Sequence, residues 1–246
     1  MRLLALDAAT ENSSVALLCD GEVLERGAAS GKANSQQLLG MVAAVLAERN
    51  LSLSQLDGIA ASVGPGAFTG VRISVAVAQG LAFGANLRVA AVSTLEALAF
   101  QAFALANARA PAPPAPATTQ APLAMACLDA RMNEVYWGCF SADARHGVRA
   151  ATAACVGAPE SVILPASPFL GIGRGFAAYP GLAALPGLEL PAGAANAAPR
   201  AQDFARLGAL RFGCGLDVDP AELQPLYLRD KVALTEAERG ARQSVI

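Results

Sequence analysis

A single histidine, His146, serves a chain of 246 residues. It sits in a polar Asp-Ala-Arg-His-Gly turn, so Ser-His-Asp triads, Cys-His dyads and histidine-built metal clusters lose their base or ligands unless this one residue serves. Cysteine is sparse and unpaired. Cys19, Cys127, Cys139, Cys155 and Cys214 lie far apart with no Cys-x-x-Cys, which reads as reduced, mostly buried thiols. Charged residues make up only 15% of the chain, the net charge is −2 and the pI is near 5.5. A protein that grips nucleic acid alone carries a basic footprint that this chain lacks. Apolar stretches are broken by Gly, Asp, Gln or Ser before the roughly 18 residues of a bilayer span, so no membrane segment is expected. Asp7 and Glu11 likewise interrupt any signal-peptide core, and a cytoplasmic location is the expectation. Hydrophobic residues, many of them alanine, reach 54%, enough for one large or two small domains with real cores.

Residues 64–74, Gly-Pro-Gly-Ala-Phe-Thr-Gly-Val-Arg-Ile-Ser, are the most informative stretch. A short buried strand, Ile59 to Val63, runs into a glycine turn, and a helix continues to about Gly84 with Thr69 as its expected cap. Strand, glycine loop and helix in that order usually cradle phosphate. The details argue otherwise: a P-loop needs Lys and a hydroxyl after its last glycine, and here Gly70-Val71-Arg72 follows. No Gly-x-Gly-x-x-Gly can be drawn through Gly64, Gly66 and Gly70 either.

The chain opens with apolar runs Arg2–Asp7 and Ser14–Cys19 around a polar turn, and Asp20-Gly21 makes a hairpin into Glu22–Ala28. A helix from about Asn34 to Arg49, the 59–63 strand, the 69–84 helix, a strand at 88–92 and a helix at 94–107 follow, an α/β pattern. Residues 108–122 are rich in proline and alanine and mark a linker or insertion. Beyond it the opening recurs: an apolar run ends at Asp129, a polar turn follows, and Glu134–Phe140 is a second strand. The repetition at Asp7 and Asp129 is the plan of a duplicated actin-like, sugar-kinase-like fold of the ribonuclease H-like kind, with subdomains at 1–107 and 123–246. Two unrelated hairpins would give the same local pattern. The segment 150–199 offers one clear strand, at 169–173. The 202–213 helix carries Phe204, Leu207, Leu210 and Arg211 on one face and could pack back on the first subdomain.

Two helices are apolar on almost every side and need cover on every side. The second adds two small-residue rows, Gly70/Ser74/Ala78/Ala82 and Ala76/Gly80/Gly84, that let another helix approach closely. Either the pair is wholly internal or a protein partner covers it. Asp7 ends the first strand, where ATPases of this superfamily hold carboxylates near metal-bound phosphate. The following Ala8-Ala9-Thr10 has no glycine pair and no lysine, so capping the turn amides is the better role for Asp7. Nucleotide binding, if present, falls on Asp7, Thr10 and Ser13.

The segment Gly64 to Ile73 resembles the signature loop and helix of the TsaB (YeaZ) family, the smaller actin-like subunit of bacterial threonylcarbamoyladenosine synthesis on transfer RNA. Leu4–Asp7, Val92–Leu98, Asp129–Tyr136 and Pro225–Arg229 agree in order and spacing. The resemblance implies a non-catalytic scaffold with no cofactor or metal of its own, packing its first two helices against a TsaD transferase. The expected interface is Leu38, Leu39, Val42, Val45, Leu46, Phe68, Thr69, Arg72, Ser74, Val75, Ala78 and Ala82. It further implies a TsaE ATPase as partner, transfer RNA bound only through the complex, homodimers through the same surface, and ATP or ADP at the heterodimer boundary. Thr94 and Leu98 stand where TsaD carries a metal-binding His-x-x-x-His, and neither can ligate. The family often has His-Ser-Glu where Asn34-Ser35-Gln36 stands here. An actin-like ATPase or small-molecule kinase, and a metallopeptidase, are the competing classes.

Overall fold

The computed structural model describes residues 1–29, 35–109 and 122–229. The core of the proline-rich linker, Asn34 and the residues from 230 onward lie outside the described residues.

Continuous apolar runs, buried on both faces, decide the first layer. Strands β1 (Arg2–Asp7), β2 (Asn12–Cys19) and β3 (Glu22–Ala29) form an antiparallel meander. Asp20 and Gly21 turn it with φ of 51° and 91°, the positive pair that a tight hairpin requires. After α1 (Ser35–Glu48), β4 (Gly58–Ser62) joins β1 in parallel; after α2 (Phe68–Ala85), β5 (Val89–Val92) joins β4, giving the order β3-β2-β1-β4-β5.

Helix α3 (Thr94–Arg109) leads to the second half. There β6 (Leu123–Arg131), β7 (Glu134–Asp143) and β8 (Gly147–Ala150) repeat the meander, and β9 (Cys155–Gly157) pairs beside β8 on β7. Strand β10 (Phe169–Ile172) adds parallel to β6, a one-turn α4 (Gly175–Ala178) follows, and β11 (Leu188–Glu189) adds parallel to β10. Read from β8, the order β8-β7-β6-β10-β11 repeats the first sheet strand for strand, with the same antiparallel and parallel pairings. The helices between the strands did not keep pace: the second repeat has only α4 and single turns where the first has α1 and α2. Its Ala-, Gly- and Pro-rich sequence lacks long apolar periodicity, which also hid β8, β9 and β11 from sequence reading.

The last helix of each repeat crosses to the other's sheet. Helix α3 packs on β6, β7, β8 and β10, and α5 (Ala201–Gly213) packs on β1, β2, β4 and β5. Successive residues of β1 therefore face two cores. Leu3 and Ala5 join Leu95, Phe204 and Leu207 between the sheets, while Leu4 and Leu6 join Leu38, Val42 and Ala78 under α1 and α2. The start of α5 has no capping side chain of its own; Ser14 Oγ and Glu25 Oε1, from β2 and β3, accept the Ala201 and Gln202 N–H groups at 2.9 and 3.1 Å. Of the face expected from sequence, Phe204 and Leu207 are buried, whereas Arg211 pairs with Glu96 of α3 at 2.7 Å.

Gly208 lets α5 lie this low. A Cβ there would stand 2.5 Å from Ala60 Cβ and 2.9 Å from a Leu3 methyl. Gly208→Ala is therefore expected to lower the urea midpoint by the equivalent of about 1–3 kcal/mol through overpacking. Gly213→Ala, in open space on the same helix, should leave it unchanged or raise it; equal midpoints for both variants would remove the tight seat.

Candidate functional site

The glycine loop is a joint between chain segments. Gly64 has φ of 95°, and Gly66 lies so close to the β1–β2 turn that a Cβ would collide with the Ala9 carbonyl. Ala67 N–H donates to Ala9 O at 2.7 Å, Thr94 N–H to Gly64 O at 2.8 Å, and Leu226 N–H to Val63 O at 2.7 Å. Because Ala67 is held by Ala9, the helix begins one residue early. Ala67 is the N-cap without a side-chain bond, so Thr69 lies inside α2 and does not cap it.

A cleft of about 420 Å³ opens between the two repeats, lined by Thr10 and Glu11 of the first turn, Gly66 and Thr69, and Asp129, Arg131 and Arg174 of the second repeat. Glu11 accepts from Arg131 at 3.0 Å and from Arg174 at 3.2 Å, and Arg131 also pairs with Asp129 at 3.0 Å. Arg131, Met132 and Asn133 take φ of 59°, 57° and 61°, and Asp129 Oδ1 accepts the Arg131 N–H at 2.8 Å. Glu11 and Arg174 are far apart along the chain, and no local sequence signal brings them together with Arg131.

The three residues assigned to nucleotide binding share the β1–β2 hairpin but do not line one cleft. Asp7 is fully buried, and its Oδ1 accepts the Ala9 N–H at 3.0 Å. Ser13 is buried beside a separate depression with Gln101 and Arg200, and only Thr10 lines the cleft. Thr94 and Leu98 are sealed in the core at the start of α3. Among the described residues, no three or more His, Cys, Asp or Glu side chains are grouped to hold a metal ion.

The surface of α1 and α2 requires a correction. Leu38, Val42 and Val45 of α1 and Ser74, Val75, Ala78 and Ala82 of α2 face their own sheet and cannot meet a partner. Ser74 shows why: its hydroxyl bonds Ser62 Oγ at 2.9 Å and donates to Leu6 O at 3.2 Å in the seam below the helix. Of the expected set, Leu39, Phe68, Thr69 and Arg72 are exposed and Leu46 is half-buried. Gly40, Ala43 and Ala47 join them on α1, and Ala76, Gly80, Phe83 and Gly84 on α2. The outward small-residue row is thus Ala76/Gly80/Gly84. Contrary to expectation, the 18 residues of α2, with mean hydropathy 1.3, are long and apolar enough to cross a membrane by length and composition. In the fold the helix is seated on β4, and Gln79 Nε2 donates to Pro220 O and Leu223 O at 2.9 and 3.2 Å.

Two repeats of one sheet plan, with α3 and α5 exchanged between them, define a duplicated actin-like fold of the ribonuclease H-like kind. A sequence model of the TsaD family, tRNA N6-adenosine threonylcarbamoyltransferase, matches residues 28–197. The chain is 35% identical to the tRNA threonylcarbamoyladenosine biosynthesis protein TsaB of Escherichia coli K12, over 95% of this chain and 96% of that protein. Identity to the Haemophilus influenzae protein of the same name is also 35%, over 94% and 95%. The solved structure of YeaZ from Pseudomonas aeruginosa superposes with a TM-score of 0.79 at 37% identity, covering 92% of this chain and 99% of that one. The chain belongs to the TsaB (YeaZ) family.

Burial raises the pKa of Asp7 to about 6, against the pull of the Ala9 N–H and the Ser62 hydroxyl. The folded state thus favours the protonated acid, and the penalty for ionising it grows as pH rises from about 4 to 6. Asp7→Asn, which keeps an acceptor for Ala9, is expected to match the wild type near pH 4 and to be more stable by up to about 3 kcal/mol above pH 6. Chemical denaturation across that range measures it, and a gap that is constant with pH would contradict the assignment.

Proposed function

We propose that this chain is a non-catalytic, cytoplasmic subunit in the synthesis of threonylcarbamoyladenosine beside the anticodon of transfer RNA, and that it binds and activates a TsaD-like transferase. The outer face of α1 and α2 is the docking surface. The observation that carries this reading is that only six of the 18 residues of the apolar α2 are buried within the chain, with Ala76, Gly80, Phe83 and Gly84 exposed. Large uncovered apolar area on a helix calls for a partner. The outward positions are small, and a Cβ at Gly40, Gly80 or Gly84 would meet nothing within 4 Å, so a second helix pair can approach closely. A partner of the same fold family would present equivalent helices, and a four-helix contact follows. The same face would pair with its own copy when the transferase is absent.

A TsaE-like ATPase is the third component, with ATP or ADP bound at the boundary between subunits. In this chain's cleft Glu11 and Asp129 already neutralise Arg131 and Arg174, and Asp7 is sealed behind the turn. Transfer RNA is held by the assembly, in keeping with a net charge of −2.

Mixing the purified chain with the transferase and ATPase subunits and measuring threonylcarbamoyl transfer, with each protein omitted in turn, tests the role. Omitting this chain should abolish transfer, and turnover by this chain alone at the rate of the assembly would end the scaffold reading. Gly80→Trp should leave circular dichroism and the unfolding midpoint of the isolated chain unchanged while abolishing co-purification with the transferase.

A further inference from the structure

Arg72, one turn into α2, is held in an unusual way. Its guanidinium carbon lies 3.7 Å from the centroid of the Phe68 ring and 5.7 Å from that of Tyr227, and its Nε donates to the Tyr227 hydroxyl at 2.7 Å. The two rings are themselves 5.8 Å apart. Among the described residues no carboxylate pairs with it, and neither Nη atom has an acceptor. Stacking and the Nε bond fix the plane of the group, so the outer edge of a planar, permanently charged fork is presented to solvent with little rotamer entropy left to lose.

The surroundings say what that fork would meet. It borders a groove of about 540 Å³ between the start of α2, the β6–β7 turn and the extended segment 226–229. Phe68, Met132, Leu226 and Tyr227 are exposed by 37–48% along it. The other two cations there are already neutralised: Arg131 by Glu11 and Asp129, and Arg229 by Glu134 at 2.6 Å. A nucleic-acid backbone requires several unpaired cations in a row, whereas this groove offers one, set among apolar side chains.

We infer that the Arg72 fork receives a carboxylate of a partner protein, carried on a segment whose neighbouring aliphatic or aromatic side chains fill the groove. The inference rests on the docking reading above. Phe68 and Arg72 also border the surface of Ile73, Ala76 and Val77, so a partner lying along α2 reaches the groove without a gap. Bidentate carboxylate pairing at the end of an apolar helix contact would fix the register of the two subunits.

Calorimetric titration of the transferase subunit with wild type, Arg72→Gln, Arg72→Lys and Gly80→Trp, at low and at high salt, tests it. Arg72→Gln should weaken binding by about 30-fold at low salt and flatten its salt dependence, and Arg72→Lys, which restores charge without the fork, should fall between. Arg72→Gln within twofold of wild type, with Gly80→Trp unable to bind, would overturn the carboxylate contact and leave helix docking standing. If both variants bind normally, both readings fail. Should Arg72→Gln lower the unfolding midpoint, Arg72→Lys decides: binding within twofold of wild type overturns the inference. Weakened transfer RNA binding by the assembly with unchanged subunit affinity would assign the fork to phosphate and overturn it as well.

Discussion

The exchange of α3 and α5 between the two sheets is the constraint on which the rest of the molecule depends. Each repeat supplies the helix that seals the other, so neither sheet has a complete inner core alone, and the space between them is closed by Leu3, Leu95, Phe204 and Leu207 from both halves. The contact is close because Gly208 carries no side chain over Ala60. It is directional because Ser14 and Glu25 accept the first free N–H groups of α5. With its inner face taken by α5, the first sheet can bury its other face only under α1 and α2. Among the described residues those helices have one layer beneath them and none above, and their outward side chains are what the sequence puts there: Leu39, Ala43, Ala76, Gly80, Phe83.

The glycine loop follows from the same geometry. In a strand–loop–helix unit the backbone N–H groups at the helix start are commonly turned toward an anion. Here the loop is pressed onto the β1–β2 turn, where Ala67 donates to Ala9 and Gly66 has no room for a side chain. Asp7, at the end of β1, has its carboxylate turned to the Ala9 amide under that loop. Of the expected phosphate-binding set, Asp7 thus has a structural occupation of its own, whereas the buried hydroxyl oxygens of Thr10 and Ser13 find no hydrogen-bond partner among the described residues, and the cleft charges, Glu11 with Arg131 and Arg174, pair across the two repeats.

Much of this was legible in the sequence because strands buried on both faces read as short continuous apolar runs. Arg2–Asp7, Ser14–Cys19 and their counterparts around Asp129 could be placed, and the repetition at Asp7 and Asp129 pointed to the duplicated sheet. The exchange of the last helices could not be read, since local periodicity says which face of a helix is apolar and not which sheet it meets. The outward face of α2 was misread for a related reason. A helix apolar on all sides has no moment to orient it, and both small-residue rows fit a close approach; the inner one, Gly70/Ser74/Ala78/Ala82, approaches the chain's own sheet. Ser74 was the available signal, since a hydroxyl in an apolar helix must find an acceptor, and Leu6 O and Ser62 Oγ lie below it. The 150–199 segment stayed opaque because its strands are two to four residues long and carried by loop hydrogen bonds.

An apolar ridge of alanine and glycine supplies area and close approach, but little direction. Small side chains slide past one another at similar energy, so such a face accepts a copy of its own chain or a relative without strong preference. On the proposed reading, discrimination has to come from the edge of the patch, where charge and shape are specific. The α2 start has both: Phe68 and Tyr227 are rigid aromatic surfaces, and Arg72 is fixed between them. The placement also ties the C-terminal segment to the docking face, because Tyr227 reaches Arg72 only while Leu226 is bonded to Val63 behind the glycine loop. The loop that identifies the family in sequence would then act at a distance from any chemistry, by holding the segment that aims the charge.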